Sequence, residues 1–327
     1  MSTVIAAEQL ALFDIGVDVS RLREKCEVLM GAQKSFNTKR NYEHGWLVFS
    51  RWCASAGRQA LPADPETLLL FIASEVERGM HVKTIRVRAS AVADRHVQAG
   101  FPSPYVDRVR ALICNAARSL RRPSRPKLPL TADHVRRVGS LSGLSLTYEV
   151  RDRAIVLFGF PLGWRASEIA SLQLSDVRLE KDRVTVRLGA SKADQDASRG
   201  RVAVVPAVPG RNVCPVGALR DWLEVRGRWA GPLFSHCSSD GRAVLRDPIS
   251  VHVVRSAVKR LLERVGEDDL RRYGAHSLRA GMATVSAEHG ADAISIMQRG
   301  GWRSMDTVLG YIRPAQAFAR DPLRGAL

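Results

Sequence analysis

The sequence has few of the features that cross-link a small protein or anchor a protein in a membrane. No run of apolar residues has the length that a membrane span requires, and the acidic Glu8 and Asp14 stand where a secretory signal would carry positive charge. The cysteines occur singly, without the CxxC spacing of metal ligands: Cys26, Cys53, Cys114, Cys214 and Cys237. Such thiols exclude a disulfide framework and favour a reducing setting. We expect a cytoplasmic protein.

Lysine is scarce, although the chain is strongly basic. Only 8 of the 50 cationic side chains are lysines, and the formal net charge is +17 at pH 7. Residues 1–126 carry 19 cationic against 12 acidic side chains, and residues 127–327 carry 31 against 21. Because both halves are basic, nucleic acid is the expected partner. Arginine suits bidentate phosphate contacts, with genome composition as the alternative source of the bias.

Length and composition favour two domains. A chain of 327 residues with 45% apolar residues has enough core for two units of ordinary size. Residues 121–130 combine three prolines with four cations, which neither a helix nor a central strand tolerates. We place the linker there, between domains at 33–120 and 131–327, and expect the extension 1–32 to be only partly ordered.

The first domain is predicted to be a small helical bundle. Apolar residues from Tyr42 to Cys53 recur at helical spacing, Asp64-Pro65-Glu66 opens a second helix, and Pro104 opens a fourth that ends near residue 120. The third helix covers 81–99. Its predicted buried face is Ile85, Ala89, Val92 and His96, and the cations placed off that face are Lys83, Arg86 and Arg88.

The second domain is predicted to be helical with a small sheet. Thr131-Ala-Asp133 caps one helix, and Arg151–Phe160 reads as a buried one. The Val-rich runs Asp182–Leu188 and Arg201–Pro206 predict two strands around a polar turn. The remainder has mostly helical periodicity. The fold class is therefore mainly α with a small antiparallel β-sheet.

Two pairs of charged residues interrupt the apolar pattern of this domain. Arg165 follows a turn at Gly163 and precedes Glu168, which allows either an exposed helix pair or an anion site. His276 and Arg279 are spaced to lie one above the other on a helical face. Neither pair is specific alone.

Three further residues complete the set. Trp302 follows Gly300-Gly301, and Tyr311 comes nine residues later; both are equally consistent with core positions. Lys192 lies in the polar turn between the two strands, where a solvated lysine is the alternative.

In this order, Arg, Lys, HxxR, Trp and Tyr form the signature of the tyrosine recombinase, or phage integrase, family. The chain resembles that family most closely in Ile296–Trp302 and Gly310–Arg313, and also in Phe49–Cys53 and His81–Ile85 of the first domain. The resemblance covers most of the chain beyond about residue 35. It implies a two-domain, C-shaped DNA clamp, with a helical core-binding domain followed by a catalytic domain.

The resemblance assigns a role to each residue of the set. Arg165 and Arg279 are implied to hold the scissile phosphate, and Tyr311 to attack it and form a 3'-phosphotyrosyl bond. Lys192 is implied to protonate the leaving 5'-oxygen, while His276 helps to accept the tyrosine proton. These roles suit phosphoryl transfer, in which negative charge builds on the nonbridging oxygens.

Glu168 matches an acidic position that supports the active-site His and Arg, and Trp302 stands where most relatives carry a second histidine. An indole donates a hydrogen bond but cannot take a proton, which excludes acid–base work there. The reaction is implied to need no cofactor: no ATP is consumed, and the dispersed Asp and Glu predict no metal.

The implied partner is double-stranded DNA with inverted-repeat arms, bound by a homotetramer on two sites, with no membrane or small-molecule substrate and a nucleoid location. The tail beyond Tyr311 is implied to dock on a neighbouring subunit through Phe318, Leu323 and Leu327.

Six residues are predicted to bind DNA: Lys39, Arg40, Lys83, Arg86, Ser250 and Arg255. The alternative is that these residues lie on solvated helix faces.

Two alternative functions stay open. A telomere resolvase or type IB topoisomerase shares the nucleophile and the arginines but needs no paired sites. A DNA-binding regulator with this fold and no activity is the other, although a complete set of active-site residues argues against it.

Overall fold

The computed structural model describes residues 18–30, 36–120, 127–189, 200–210 and 212–316. The chain divides into two compact units, residues 1–124 and 125–327. Both are mainly helical, and the sheets are small and antiparallel. The predicted fold class is confirmed.

The first unit contains five helices within the described residues. Asp64 caps the third of them by accepting the Thr67 amide hydrogen at 2.6 Å, and Pro65 fills its first turn, as the sequence predicts. The helices are α1 (Val19–Met30), α2 (Phe36–Ser55), α3 (Pro65–Glu77), α4 (Val82–Gln98) and α5 (Asp107–Ser119).

The core of this unit follows the predicted periodicity. Ile85, Ala89, Val92 and His96 are buried on α4, where they pack against α2 and α3. His96 accepts the Ala63 amide hydrogen through Nε2 at 2.8 Å, which satisfies its buried imidazole.

Two details of the first unit differ from the prediction. Arg88 does not lie off the buried face: its side chain is 11% exposed and pairs with Glu75, which is fully buried. A buried carboxylate requires such a partner, and periodicity alone cannot supply that information. The last helix begins at Asp107 rather than Pro104, because the backbone is still extended at Val106.

The second unit combines ten helices in the described residues, eight α-helices and two single 3₁₀ turns, with two small sheets. Its α-helices are α6 (Ala132–Gly139), α7 (Thr147–Leu162), α8 (Ala166–Ser171), α9 (Pro215–Arg226), α10 (Val251–Arg264), α11 (Ala275–Glu288), α12 (Ala293–Gly300) and α13 (Met305–Gln316), and a 3₁₀ turn covers each of Leu174–Asp176 and Leu270–Arg272.

The sheets of this unit contain more strands than predicted. β1 (Val177–Leu179), β2 (Arg183–Leu188) and β3 (Arg201–Pro206) form an antiparallel sheet in chain order, and β4 (Ser235–Cys237) pairs with β5 (Val244–Pro248). β2 and β3 match the two predicted Val-rich runs to within one residue. The other three strands have three to five residues, too few for an alternating pattern to be recognised.

Two apolar clusters fill the second unit. The larger surrounds α7, which runs beyond the predicted Arg151–Phe160 at both ends. The smaller lies among α11, α12 and α13; it includes Met282, Ile296 and Trp302, and Tyr311 packs against it. The smaller cluster therefore fixes the positions of two predicted site residues.

Two features are absent from the described residues. Across residues 18–316, outside the gaps named above, no helix is long and apolar enough to cross a membrane. In the same residues, no group of three or more His, Cys, Asp or Glu side chains is placed to hold a metal ion.

Candidate active site

The turn between α7 and α8 presents Arg165. α7 ends at Leu162 and is capped by Gly163, whose left-handed backbone (φ 60°) returns its amide to carbonyls of the preceding turn. A Cβ at this position would lie 2.1 Å from the Met282 side chain, so both the angle and the space require glycine. Arg165 then caps α8 in an extended conformation, and Glu168 accepts its amide hydrogen at 2.7 Å.

Glu168 is a buried carboxylate shared by two arginines. It is 4% exposed; Oε1 accepts from Arg165 Nη1 at 2.8 Å, and Oε2 accepts from Arg201 Nη2 at 2.9 Å. Burial raises the pKa of Glu168, but the Arg165 amide and the Arg201 charge outweigh it and leave the pKa below its ordinary value. Glu168 is therefore a buried carboxylate that holds both arginines, and Arg165 and Glu168 do not form an exposed helix pair.

Arg279 is held by two backbone carbonyls and an indole. It is 3% exposed on α11; Nη1 donates to the carbonyl of Gly163 at 2.7 Å and to that of Gly300, and the guanidinium lies 3.7 Å from the Trp302 ring centroid. Burial and the charge of Arg165 lower the pKa of Arg279 to about 10, so the group is charged at neutral pH.

One nitrogen of Arg279 has no protein partner. Nη2 is buried and makes no hydrogen bond with any residue that the structure describes. A buried donor in that condition costs about 1–3 kcal/mol. An anionic oxygen is the natural acceptor for it, which makes Arg279 a candidate phosphate ligand.

Tyr311 and His276 are in direct contact. The Tyr311 hydroxyl lies 2.6 Å from His276 Nε2, although the residues belong to different helices. Burial raises the pKa of Tyr311, and the Arg279 charge opposes that rise. Burial, together with the charges of Arg279 and Arg165, lowers the pKa of His276, so its imidazole is neutral at pH 7. A neutral imidazole with Nε2 as acceptor is suited to take the phenol proton.

Trp302 closes the site on the side of α13. Its ring lies across Gly300, where an added Cβ would come within 2.0 Å of the indole. The ring is 7% exposed, and its centroid lies 5.8 Å from that of Tyr311. Trp302 thus contacts both Arg279 and the phenol, and fixes their separation by packing.

The structure brings together six of the seven residues predicted to be catalytic. Arg165, Glu168, His276, Arg279, Trp302 and Tyr311 form one constellation, connected by the contacts above. The seventh, Lys192, lies outside the described residues, as do the predicted tail anchors Phe318, Leu323 and Leu327. The chemical roles of all these residues stay predictions.

The predicted DNA-binding residues are exposed in both units. Lys39 and Arg40 are exposed on α2, and Lys83 and Arg86 on α4. In the second unit, Ser250 precedes α10 and Arg255 lies on its first turns; both are exposed, and Arg255 contacts His252 at 3.2 Å. Their role in DNA recognition stays a prediction.

Arg201 is the site residue that sequence reasoning missed. The sequence places it only at the start of a strand, yet its guanidinium reaches Glu168, Gly300 and Trp164. A single cation at a strand end after a polar turn is common in exposed hairpins. No local pattern distinguishes it, because its partners come from distant parts of the chain.

Solved structures share this fold. A lambda integrase dimer (residues 75–356) bound to a COC' core site superposes with a TM-score of 0.57 at 16% identity, covering 90% of this chain and 94% of that one. XerH site-specific recombinase bound to a palindromic difH substrate, in a post-cleavage complex, gives 0.57 at 18% identity, with 88% and 78% covered. At these identities the similarity establishes the fold.

Sequence comparison supplies the family. An integrase/recombinase xerD homolog of Selenomonas ruminantium is 28% identical over 307 residues, covering 93% of this chain and 89% of the relative. The recombinase cre of Escherichia phage P1 is 25% identical over 297 residues, with 83% and 84% covered. The model of the phage integrase family matches residues 130–317, which include every residue of the constellation. The chain therefore belongs to the phage integrase family of tyrosine recombinases.

Proposed function

We propose that this chain is a site-specific DNA recombinase that cuts and rejoins DNA through a 3'-phosphotyrosyl intermediate. The observation that carries the proposal is the 2.6 Å contact between the Tyr311 hydroxyl and His276 Nε2, beside the buried guanidinium of Arg279. A nucleophile, a neutral proton acceptor and a fixed cation are the parts that phosphodiester cleavage requires.

The proposed cleavage step is a transesterification. The Tyr311 oxygen forms a bond to the scissile phosphorus as the bond from phosphorus to the 5'-oxygen breaks, and His276 takes the phenol proton. Lys192 donates a proton to the departing 5'-oxygen. Arg165 and Arg279 stabilise the negative charge that develops on the nonbridging oxygens. Such electrostatic stabilisation is usually the largest single contribution to this kind of catalysis.

Rejoining is the reverse of the same step. A 5'-hydroxyl attacks the phosphotyrosyl phosphorus and releases the Tyr311 phenol. Because one phosphate ester replaces another, the energy of the broken bond is retained and no ATP is needed. Exchange follows when the attacking hydroxyl comes from a second DNA site.

We assign DNA binding to both units, with residues 33–120 as the core-binding domain and 131–327 as the catalytic domain. The basic charge of both halves supports this assignment. A homotetramer on two inverted-repeat sites is the proposed active assembly, because two duplexes cut on both strands need four nucleophiles. We place the protein in the cytoplasm, at the nucleoid.

Binding by both units predicts a steep dependence on salt. If about eight phosphates are neutralised per subunit, log affinity falls against log salt concentration with a slope of about −7. The measurement is half-site affinity over a salt series, with the double variant K83A/R86A as comparison; it should flatten the slope by about two. A wild-type slope near −2, equivalent to about two phosphates, contradicts binding by both units.

The experiment that tests the function begins with the DNA site. Duplexes selected by the protein from a random pool are placed in two copies on one plasmid, and the protein is added with a chelator and without ATP. We expect reciprocal recombinant products. Relaxation of a plasmid that lacks the site would instead indicate a topoisomerase, and binding without any strand breakage a silent regulator.

A further inference from the structure

Arg201 makes contacts that an ordinary strand residue does not make. It is the first residue of β3, and its side chain is 19% exposed. Nη2 donates to Glu168 Oε2 at 2.9 Å, and Nη1 donates to the Gly300 carbonyl at 2.9 Å. The guanidinium also lies 4.7 Å from the centroid of the Trp164 ring. One side chain thus joins two segments that are far apart in the sequence, residues 164–168 and Gly300.

The acceptors of Arg201 are the groups that hold the two candidate phosphate ligands. Glu168 also accepts from Arg165, through its other oxygen, and the Gly300 carbonyl also accepts from Arg279. Arg201 therefore connects the support of Arg165 to the support of Arg279. Without the planar guanidinium of Arg201, Glu168 and the Gly300 carbonyl would each lose a hydrogen bond that fixes their position.

The backbone around Arg201 is shaped to receive it. Gly301 has φ +66°, and an added Cβ there would lie 1.5 Å from Arg201 Nη1. Only glycine accommodates both the left-handed backbone and the close approach of the guanidinium. The absence of a side chain at Gly300 thus leaves space for the Trp302 ring, and its absence at Gly301 leaves space for the Arg201 guanidinium.

Stability alone does not account for this arrangement. Burial lowers the pKa of Arg201, and its Nε has no hydrogen-bond partner within the described residues. Replacing a buried ion pair by apolar residues is often neutral or stabilising, so a fold has no general need for one. The need to hold Arg165 and Arg279 at fixed positions explains why the cost of burying the Arg201 charge is tolerated.

We propose that Arg201 is a positioning residue that sets the spacing of Arg165 and Arg279 for one phosphate. This inference rests on the proposed function, because it concerns the same site. Arg201 acts through Glu168 and the Gly300 carbonyl, without a contact to the phosphate of its own.

The test compares cleavage by the wild type and R201M on a duplex nicked beside the cleavage point, from which the released strand diffuses away. A misplacement of about 1 Å can reduce a rate about 100-fold, and we expect a loss of that order. Half-site binding and the thermal unfolding midpoint are measured alongside. R183M, on the same hairpin and exposed, is the matched control and should cleave like the wild type.

A second substrate separates positioning from general damage. A methylphosphonate at the scissile position is neutral, so less negative charge develops for the arginines to stabilise. The loss of cleavage rate in R201M should therefore shrink to a few-fold on this substrate. An equal defect on both substrates would overturn the inference. R201K keeps the charge but loses the fork, and should stay at least about tenfold slow; it decides the question if R201M does not fold.

The failure of the inference can be told from that of the function. Wild-type cleavage together with an R201M or R201K variant of equal rate overturns the role of Arg201 alone. A wild type that forms no covalent adduct on the selected duplex overturns the proposed function, and the inference with it.

Discussion

Replacing Tyr311 with phenylalanine is expected to abolish covalent capture of DNA while leaving half-site binding within about twofold. The change removes only the phenol oxygen, so the ring still packs against Trp302 and the second apolar cluster. Removing a catalytic nucleophile typically costs several orders of magnitude, and we expect a loss of at least about 10⁴-fold in adduct formation. Denaturing gel electrophoresis of the nicked-duplex reaction measures it.

The matched control for this variant is Y148F, which removes a hydroxyl in the same unit outside the constellation. We expect normal adduct formation from it. A covalent adduct that persists in Y311F would remove Tyr311 from its proposed role, whatever the other variants show.

Replacing Arg279 with alanine is expected to slow cleavage by about 10²–10³-fold, the usual cost of losing one fixed donor to a charged transition state. Lysine at this position should be nearly as slow. A single ammonium group cannot donate to the Gly163 and Gly300 carbonyls, stack on Trp302 and present a further N–H to a phosphate together.

Two measurements make the Arg279 result specific. R271A removes an arginine of the same unit that is 93% exposed and pairs only with Asp269 among the ion pairs of the described residues; we expect it to cleave normally. Thermal unfolding of R279K reports any loss of fold. Cleavage by R279K within about threefold of the wild type, a difference near 0.7 kcal/mol, would contradict a phosphate role.

The parts of the site that could be predicted are those that the sequence marks by order and spacing. His276 and Arg279 lie one turn apart because α11 is regular, and the turn at Gly163 places Arg165 where the sequence indicates. That Tyr311 meets His276 could not be derived from spacing. Their contact depends on how α11 and α13 pack, and it was expected only through the family resemblance.

Charged residues that are buried account for most of what the sequence did not reveal. Arg88 with Glu75, and Arg201 with Glu168, are pairs whose members belong to different elements. A cation beside a polar turn or on a helix usually lies in solvent, so its pattern predicts exposure. Only the tertiary structure shows that a buried carboxylate lies opposite.

Helix ends and short strands show the same limit at a smaller scale. The sequence predicts α4 and β3 to within one residue, because a repeated apolar pattern defines the helix and a run of valines defines the strand. β1, β4 and β5 are too short for such a pattern, and they pair because neighbouring elements bring their backbones together.

In the proposed reaction, Tyr311 attacks the DNA backbone and retains the 3' side of the break. Mass spectrometry of the protease-digested adduct, formed on the nicked duplex, tests it most directly. We expect one modified peptide, with the nucleotide joined through a 3'-phosphate to Tyr311, and a free 5'-hydroxyl on the released strand. Linkage through a 5'-phosphate, or attachment to another residue such as Tyr273, would contradict it.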